Sequence, residues 1–77
     1  MTPEQCRAAR GWLDWSQTDL ANAASVSLST VRDFEKGRRV PIANNLGAIE
    51  TALRAKGVQF FEGDGASGIS CAVAKRA

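Results

Sequence analysis

The chain has 77 residues and a formal net charge of +2, with 10 Lys and Arg against 8 Asp and Glu. That length predicts a single domain with a small core, marginal alone and helped by dimerisation, and no second domain. There is no histidine, the commonest general base and metal ligand. No Gly-rich phosphate loop and no nucleophile beside a base occur, so neither an enzyme nor a cofactor or metal is expected. No apolar run reaches the roughly 18 residues of a membrane span, and the first residues lack the apolar core of a signal peptide.

Thr2, Pro3 and Gln5 predict a helix start, with Thr as N-cap, Pro at the first helical position and Gln completing a capping box. The first helix is expected from Pro3 to Trp12. Cys6, Ala9 and Leu13, with Trp12 nearby, form its inward face, and Arg7 and Arg10 lie off it. Gly11 to Trp15 make a short link in which Trp15 can staple onto Leu20. Trp12 and Trp15 are expected in or near the core, the alternative being stacking on nucleic-acid bases.

Ser16 to Arg39, SQTDLANAASVSLSTVRDFEKGRR, predicts two short helices with a tight corner between them. Ser16 caps the first, and Asp19 suits the positive end of its dipole. Leu20, Ala21 and Ala24 fall on one face at helical spacing. Ser25 and Val26 make the corner. Ser27 caps the second helix, Leu28 to Lys36, and Gly37 ends it. Ala21 is small where two steeply crossed helices nearly touch, and Val26 plugs the gap beside Leu20, Val31 and Phe34. Such a pair is a helix-turn-helix arrangement, whose second helix can enter a DNA major groove. Arg32, Lys36, Arg38 and Arg39 cluster there, opposed by Asp33 and Glu35. The cluster reads as an electrostatic footprint for nucleic acid, the alternative being an ordinary solvated face.

A loop over Gly37 to Pro41 leads to a fourth helix, expected from Ala43 to Lys56, in which Leu46, Ile49 and Leu53 close the core. Asn44 or Asn45 could add a phosphate bond, and Gly57 stops the helix. The tail reads as strand, turn, strand: Val58 and Phe60 share one face, as do Ile69, Cys71 and Val73. An isolated hairpin is marginal in water. Phe60, Phe61, Ile69, Cys71 and Val73 are therefore expected at a dimer interface, the alternative being a monomeric hairpin covering the fourth helix. Lys75 to Ala77 are expected to fray. Cys6 and Cys71 lack metal-site spacing and are expected to be buried, reduced thiols in a cytoplasmic protein, the alternative being a bridge between them.

The run S-Q-x-x-L-A, then V-S-x-S-T-V, then F-E-x-G-R-R-x-P resembles the Cro/repressor type of helix-turn-helix, the XRE family, over residues 3–57. One departure is Ser25 where the family usually has Gly, which costs roughly 1 kcal/mol in a left-handed corner. The resemblance implies a mainly α, lambda-repressor-like four-helix domain over residues 1–57; the family often continues with a fifth helix, and the hairpin expected over residues 58–77, as part of the same unit, departs from that pattern. It implies that Gln17 and Ser27 contact phosphates and that Leu28, Ser29, Arg32 and Asp33 face bases, although Asp33 can instead hold Arg32 or Arg10. Lys36, Arg38 and Arg39 complete the implied contacts, and Arg10 pairs with Glu35. The implied partner is double-stranded DNA, bound by a homodimer at a near-palindromic operator by a regulator, expected to be a repressor. The alternatives are a protein-interaction module of the antitoxin or anti-activator type, holding a partner through the tail, and an architectural binder with little sequence preference.

Overall fold

The computed structural model describes residues 1–63 and 66–71, and the side chains of residues 1–61. Four helices, α1 (Pro3–Leu13), α2 (Gln17–Ala24), α3 (Leu28–Glu35) and α4 (Ala43–Arg54), precede two strands, β1 (Val58–Gly63) and β2 (Ala66–Cys71).

Three hydroxyls start the first three helices. Thr2 Oγ1 accepts from the Gln5 amide at 3.1 Å, and Gln5 Oε1 accepts from the Thr2 amide at 2.8 Å. Ser16 and Asp19 make the same reciprocal box, each bond 3.0 Å. Ser27 Oγ accepts from the Thr30 amide at 3.2 Å. These bonds satisfy amide donors that the helices cannot satisfy internally. Helix α1 runs one residue beyond the predicted end and turns off at Asp14, which is left-handed at φ 61°. Helix α4 stops at Arg54, short of the predicted Lys56. The chain tightens there through Ala55 and Lys56 to Gly57 at φ 91°, a conformation that glycine adopts without a Cβ clash.

The core joins Cys6 and Ala9 of α1, Leu20, Ala21 and Ala24 of α2, Val31 and Phe34 of α3, Ile49 and Leu53 of α4, and Val58 of β1. Trp12, expected near this face, is 40% exposed. The inward stripe of α1 is built on the small Cys6 and Ala9, and the indole lies outside with exposed Ala8 and Gly11. Trp15 packs half-buried against the core, and Lys56 Nζ lies 5.9 Å from its ring centroid.

Strands β1 and β2 form an antiparallel pair that sets Val58 against Cys71, Phe60 against Ile69 and Phe61 against Gly68. The pair rests on its own chain, with α4 beside β1 and α1 beside β2. Gln5 pins it: this buried amide caps α1 with its oxygen and donates from Nε2 to the Phe61 carbonyl at 3.1 Å. Phe60 is half-buried against the core with Arg54 over its ring at 5.5 Å, so part of the surface expected between subunits is covered within the chain. Phe61 remains 54% exposed. Cys6 is a free, buried thiol. The expectations for Val73, the frayed end and the side chains of Ile69 and Cys71 lie outside what is described. No helix among the described residues is long and apolar enough to cross a membrane.

Candidate nucleic-acid interface

Ser25 makes the corner between α2 and α3 in the left-handed region, at φ 56°. Its amide donates to the Asn22 carbonyl at 3.3 Å, and the Val26 amide donates to Ala21 at 3.0 Å. The corner therefore has the geometry that usually selects glycine, adopted here by serine at a steric cost of about 1 kcal/mol. Helix α3 leaves it with two distinct sides. Val31, Phe34 and Glu35 are buried, while Leu28, Ser29, Arg32 and Lys36 are exposed and Asp33 is half-buried.

The buried side is held by a polar network centred on Glu35. Its Oε2 accepts from Arg10 Nε at 2.6 Å and from the Cys6 thiol at 3.2 Å. Its Oε1 accepts from Arg10 Nη2 at 2.7 Å and from Gln17 Nε2 at 3.1 Å. Arg10 Nη1 donates onward to the Trp15 carbonyl at 2.9 Å, and Arg7 Nη1 donates to the backbone carbonyl of Glu35. One carboxylate at the end of α3 thus ties that helix to α1, to α2 and, through Arg10, to the link between them. Every buried side-chain nitrogen and oxygen among the described residues has a partner, which is the condition under which a buried polar network rigidifies a fold.

Burial opposes the charge on Glu35, but the bonds from Arg10, Gln17 and Cys6 and the charge of Arg10 outweigh it and hold the carboxyl below its ordinary range. Bonding to Glu35 raises the Arg10 guanidinium further, against the effect of its burial. Burial and the neighbouring Glu35 push the Cys6 thiol far up, so it stays protonated and serves as a donor.

Among the residues expected at DNA, Gln17 is turned partly inward by its bond to Glu35. The Ser27 hydroxyl is occupied at the start of α3, within 2.7 Å of Thr30 Oγ1 and 3.1 Å of Ser29 Oγ. Arg32, Lys36, Arg38 and Arg39 are exposed. Asp33 does not hold Arg10, because Glu35 takes the guanidinium on the opposite side of α3, and it makes no ion pair among the described residues. Asp33 instead lines a recess between α3 and the loop before α4, together with Arg39, Val40 and Ile42. Periodicity carried no signal for this recess, for the thiol of Cys6 as a Glu35 partner, or for the Gln17 link, since all three join distant stretches of chain.

The family model described as Helix-turn-helix matches residues 7–60. The chain belongs to the helix-turn-helix DNA-binding family of the Cro/repressor (XRE) type. It is a DNA-binding transcriptional regulator with the mainly helical, four-helix architecture of that family. The match runs past Gly57 into β1. No curated protein matches the chain.

Proposed function

We propose that this helix-turn-helix protein is a repressor that occupies a near-palindromic operator as a dimer and excludes other proteins from it. The observation that carries the reading is the two-sidedness of α3: Leu28, Ser29 and Arg32 stand exposed, while Glu35 locks the other side to α1 and α2. A helix fixed in this way presents its side chains to a major groove with little ordering cost at each encounter.

Arg32 is assigned to guanine, whose O6 and N7 match the guanidinium fork. Ser29 donates or accepts, Leu28 touches a thymine methyl, and Asp33 accepts from a cytosine amino group. Gln17 Nε2 carries two hydrogens; one serves Glu35 and the other is assigned to a phosphate. Ser27 at the start of α3, with Lys36, Arg38 and Arg39, completes the phosphate contacts, which set position rather than sequence preference. For dimerisation, the exposed Phe61 ring and the outer edges of a two-stranded sheet favour joining two hairpins into a larger sheet. The surface proposed for this contact is therefore Phe61 with the strand edges, because the register pairs Ile69 and Cys71 with Phe60 and Val58, which belong to the face turned to the helices. Two copies then place their α3 helices in successive major grooves, roughly 34 Å apart.

The test is selection of preferred duplexes from a random pool by the full chain, followed by sedimentation of the selected complex. An inverted repeat carrying two copies supports the proposal. Selection of a single half-site carrying one copy refutes the dimer, and absence of any shared motif refutes sequence-specific repression.

A further inference from the structure

Among the described residues, the most exposed large apolar side chains are Val40 at 75% and Ile42 at 69%. They do not sit on a remote face. They line a recess of about 210 Å³ together with Ser29 and Asp33 of α3 and with Arg39 and Asn45. The loop that carries them is well held. The Gly37 amide donates to the Phe34 carbonyl at 3.0 Å, and the Arg38 amide donates to the Asp33 carbonyl at 2.9 Å. Pro41 fixes one backbone angle, and the Ile42 carbonyl accepts the first bond of α4, from the Leu46 amide, at 3.0 Å. The loop is therefore anchored at both of its ends.

The chemistry of the recess selects among the parts of a duplex. A phosphate suits Arg39 but neither the Asp33 carboxylate nor two branched aliphatic side chains. The only apolar group that a base pair of unmodified DNA presents in the major groove is the C5 methyl of thymine. We infer that the loop from Arg39 to Ile42 is a second reading element, in which Val40 and Ile42 close over a thymine methyl beside the bases faced by Ser29 and Asp33. Arg39 meets the flanking phosphate and sets the depth of insertion. This rests on α3 being the groove helix, and it adds a preference for thymine that none of the α3 side chains supplies at that position. Leu28 is assigned a thymine contact of its own, so the two must be separated by experiment.

The experiment uses the full chain and a duplex selected from a random pool, in which each thymine is replaced singly by deoxyuracil. Removing a methyl group that is buried on binding weakens the wild-type complex about fourfold. At one position this loss is expected to disappear in the Val40→Ala, Ile42→Ala double variant and to persist in Leu28→Ala. The inference is overturned if every deoxyuracil position that weakens the wild-type complex loses its effect in Leu28→Ala, or if no position weakens it at all. It is equally overturned if the loop variant weakens every duplex alike, because the loop then meets only the backbone. Both outcomes leave the reading of α3 standing. If the chain selects no duplex at all, the operator proposal falls as well, and this inference with it. Both substituted side chains are exposed, so an unchanged thermal melt is the expected control.

Discussion

Arg10 and Glu35 lie on different helices and meet through two parallel bonds of 2.6 and 2.7 Å, with 19% and 2% of their side chains exposed. A pair this sheltered is costly to break from one side, because the partner left behind keeps its charge away from water. Glu35→Gln is expected to lose roughly 3 kcal/mol at pH 7, the low end for buried pairs since Arg10 retains some solvent. In a domain whose whole stability is on the order of 5 kcal/mol, that leaves the variant barely folded. Urea unfolding measures it, and an unchanged midpoint would contradict the role.

The same pair sets an acid limit. Glu35 is held below its ordinary value of 4.5 in the folded state. Its contribution is therefore complete above that value, shrinks as pH falls from there through the lower folded value, and is absent below it. Wild-type stability should fall more steeply than that of Glu35→Gln as pH drops below 4.5. Parallel curves would mean that other carboxylates govern acid unfolding.

Ser25 occupies a left-handed corner at φ 56°. Glycine reaches that conformation without a Cβ clash, so Ser25→Gly should stabilise the fold by up to about 1 kcal/mol, net of the entropy that glycine adds to the unfolded chain. A rise of a few degrees in Tm is the expected readout, and a fall would show that the hydroxyl makes up for the strain.

Arg32 and Arg38 should separate base reading from phosphate binding. Arg32→Ala is expected to weaken binding to the selected duplex by about 1–3 kcal/mol and to relax preference at one base pair. Arg38→Ala should weaken binding to all duplexes alike and reduce the salt slope by about one. Equal losses on selected and random DNA for Arg32→Ala would remove it from the reading surface.

Adjacent aromatic residues of β1 should behave differently. Phe60 packs on the core while Phe61 is 54% exposed. Phe60→Ala should cost stability, about 2 kcal/mol or more given its partial burial. Phe61→Ser should leave the melt unchanged and weaken self-association in sedimentation. A Phe61→Ser chain that still dimerises as wild type would rule out the hairpin interface.

Local chemistry made much of this fold legible. Thr2, Ser16 and Ser27 cap the helices that their sequence context predicts, and the small Ala21 and the plugging Val26 mark the crossed pair. Such signals act within a turn or two of the chain. The interactions that were not legible span longer separations. Cys6 reads as a generic buried thiol until Glu35 is placed beside it, and Gln17 reads as a surface amide until the corner brings it to the same carboxylate. Trp12 reads as near-core because it adjoins the apolar stripe of α1, yet it is 40% exposed, since that stripe is completed by the small Cys6 and Ala9. Val40 and Ile42 read as loop because no periodicity links them to Ser29 and Asp33 across the recess.

Base reading by α3 is the step on which the proposed operator binding depends. The most direct measurement is affinity for a selected duplex and for a random duplex of equal length, at about 50 and 200 mM salt. If α3 reads bases, the selected duplex binds about a thousandfold tighter or more at the higher salt, while both affinities fall as salt rises. Equal affinities that vanish together at the higher salt would contradict it, leaving α3 as a cationic surface without a reading function.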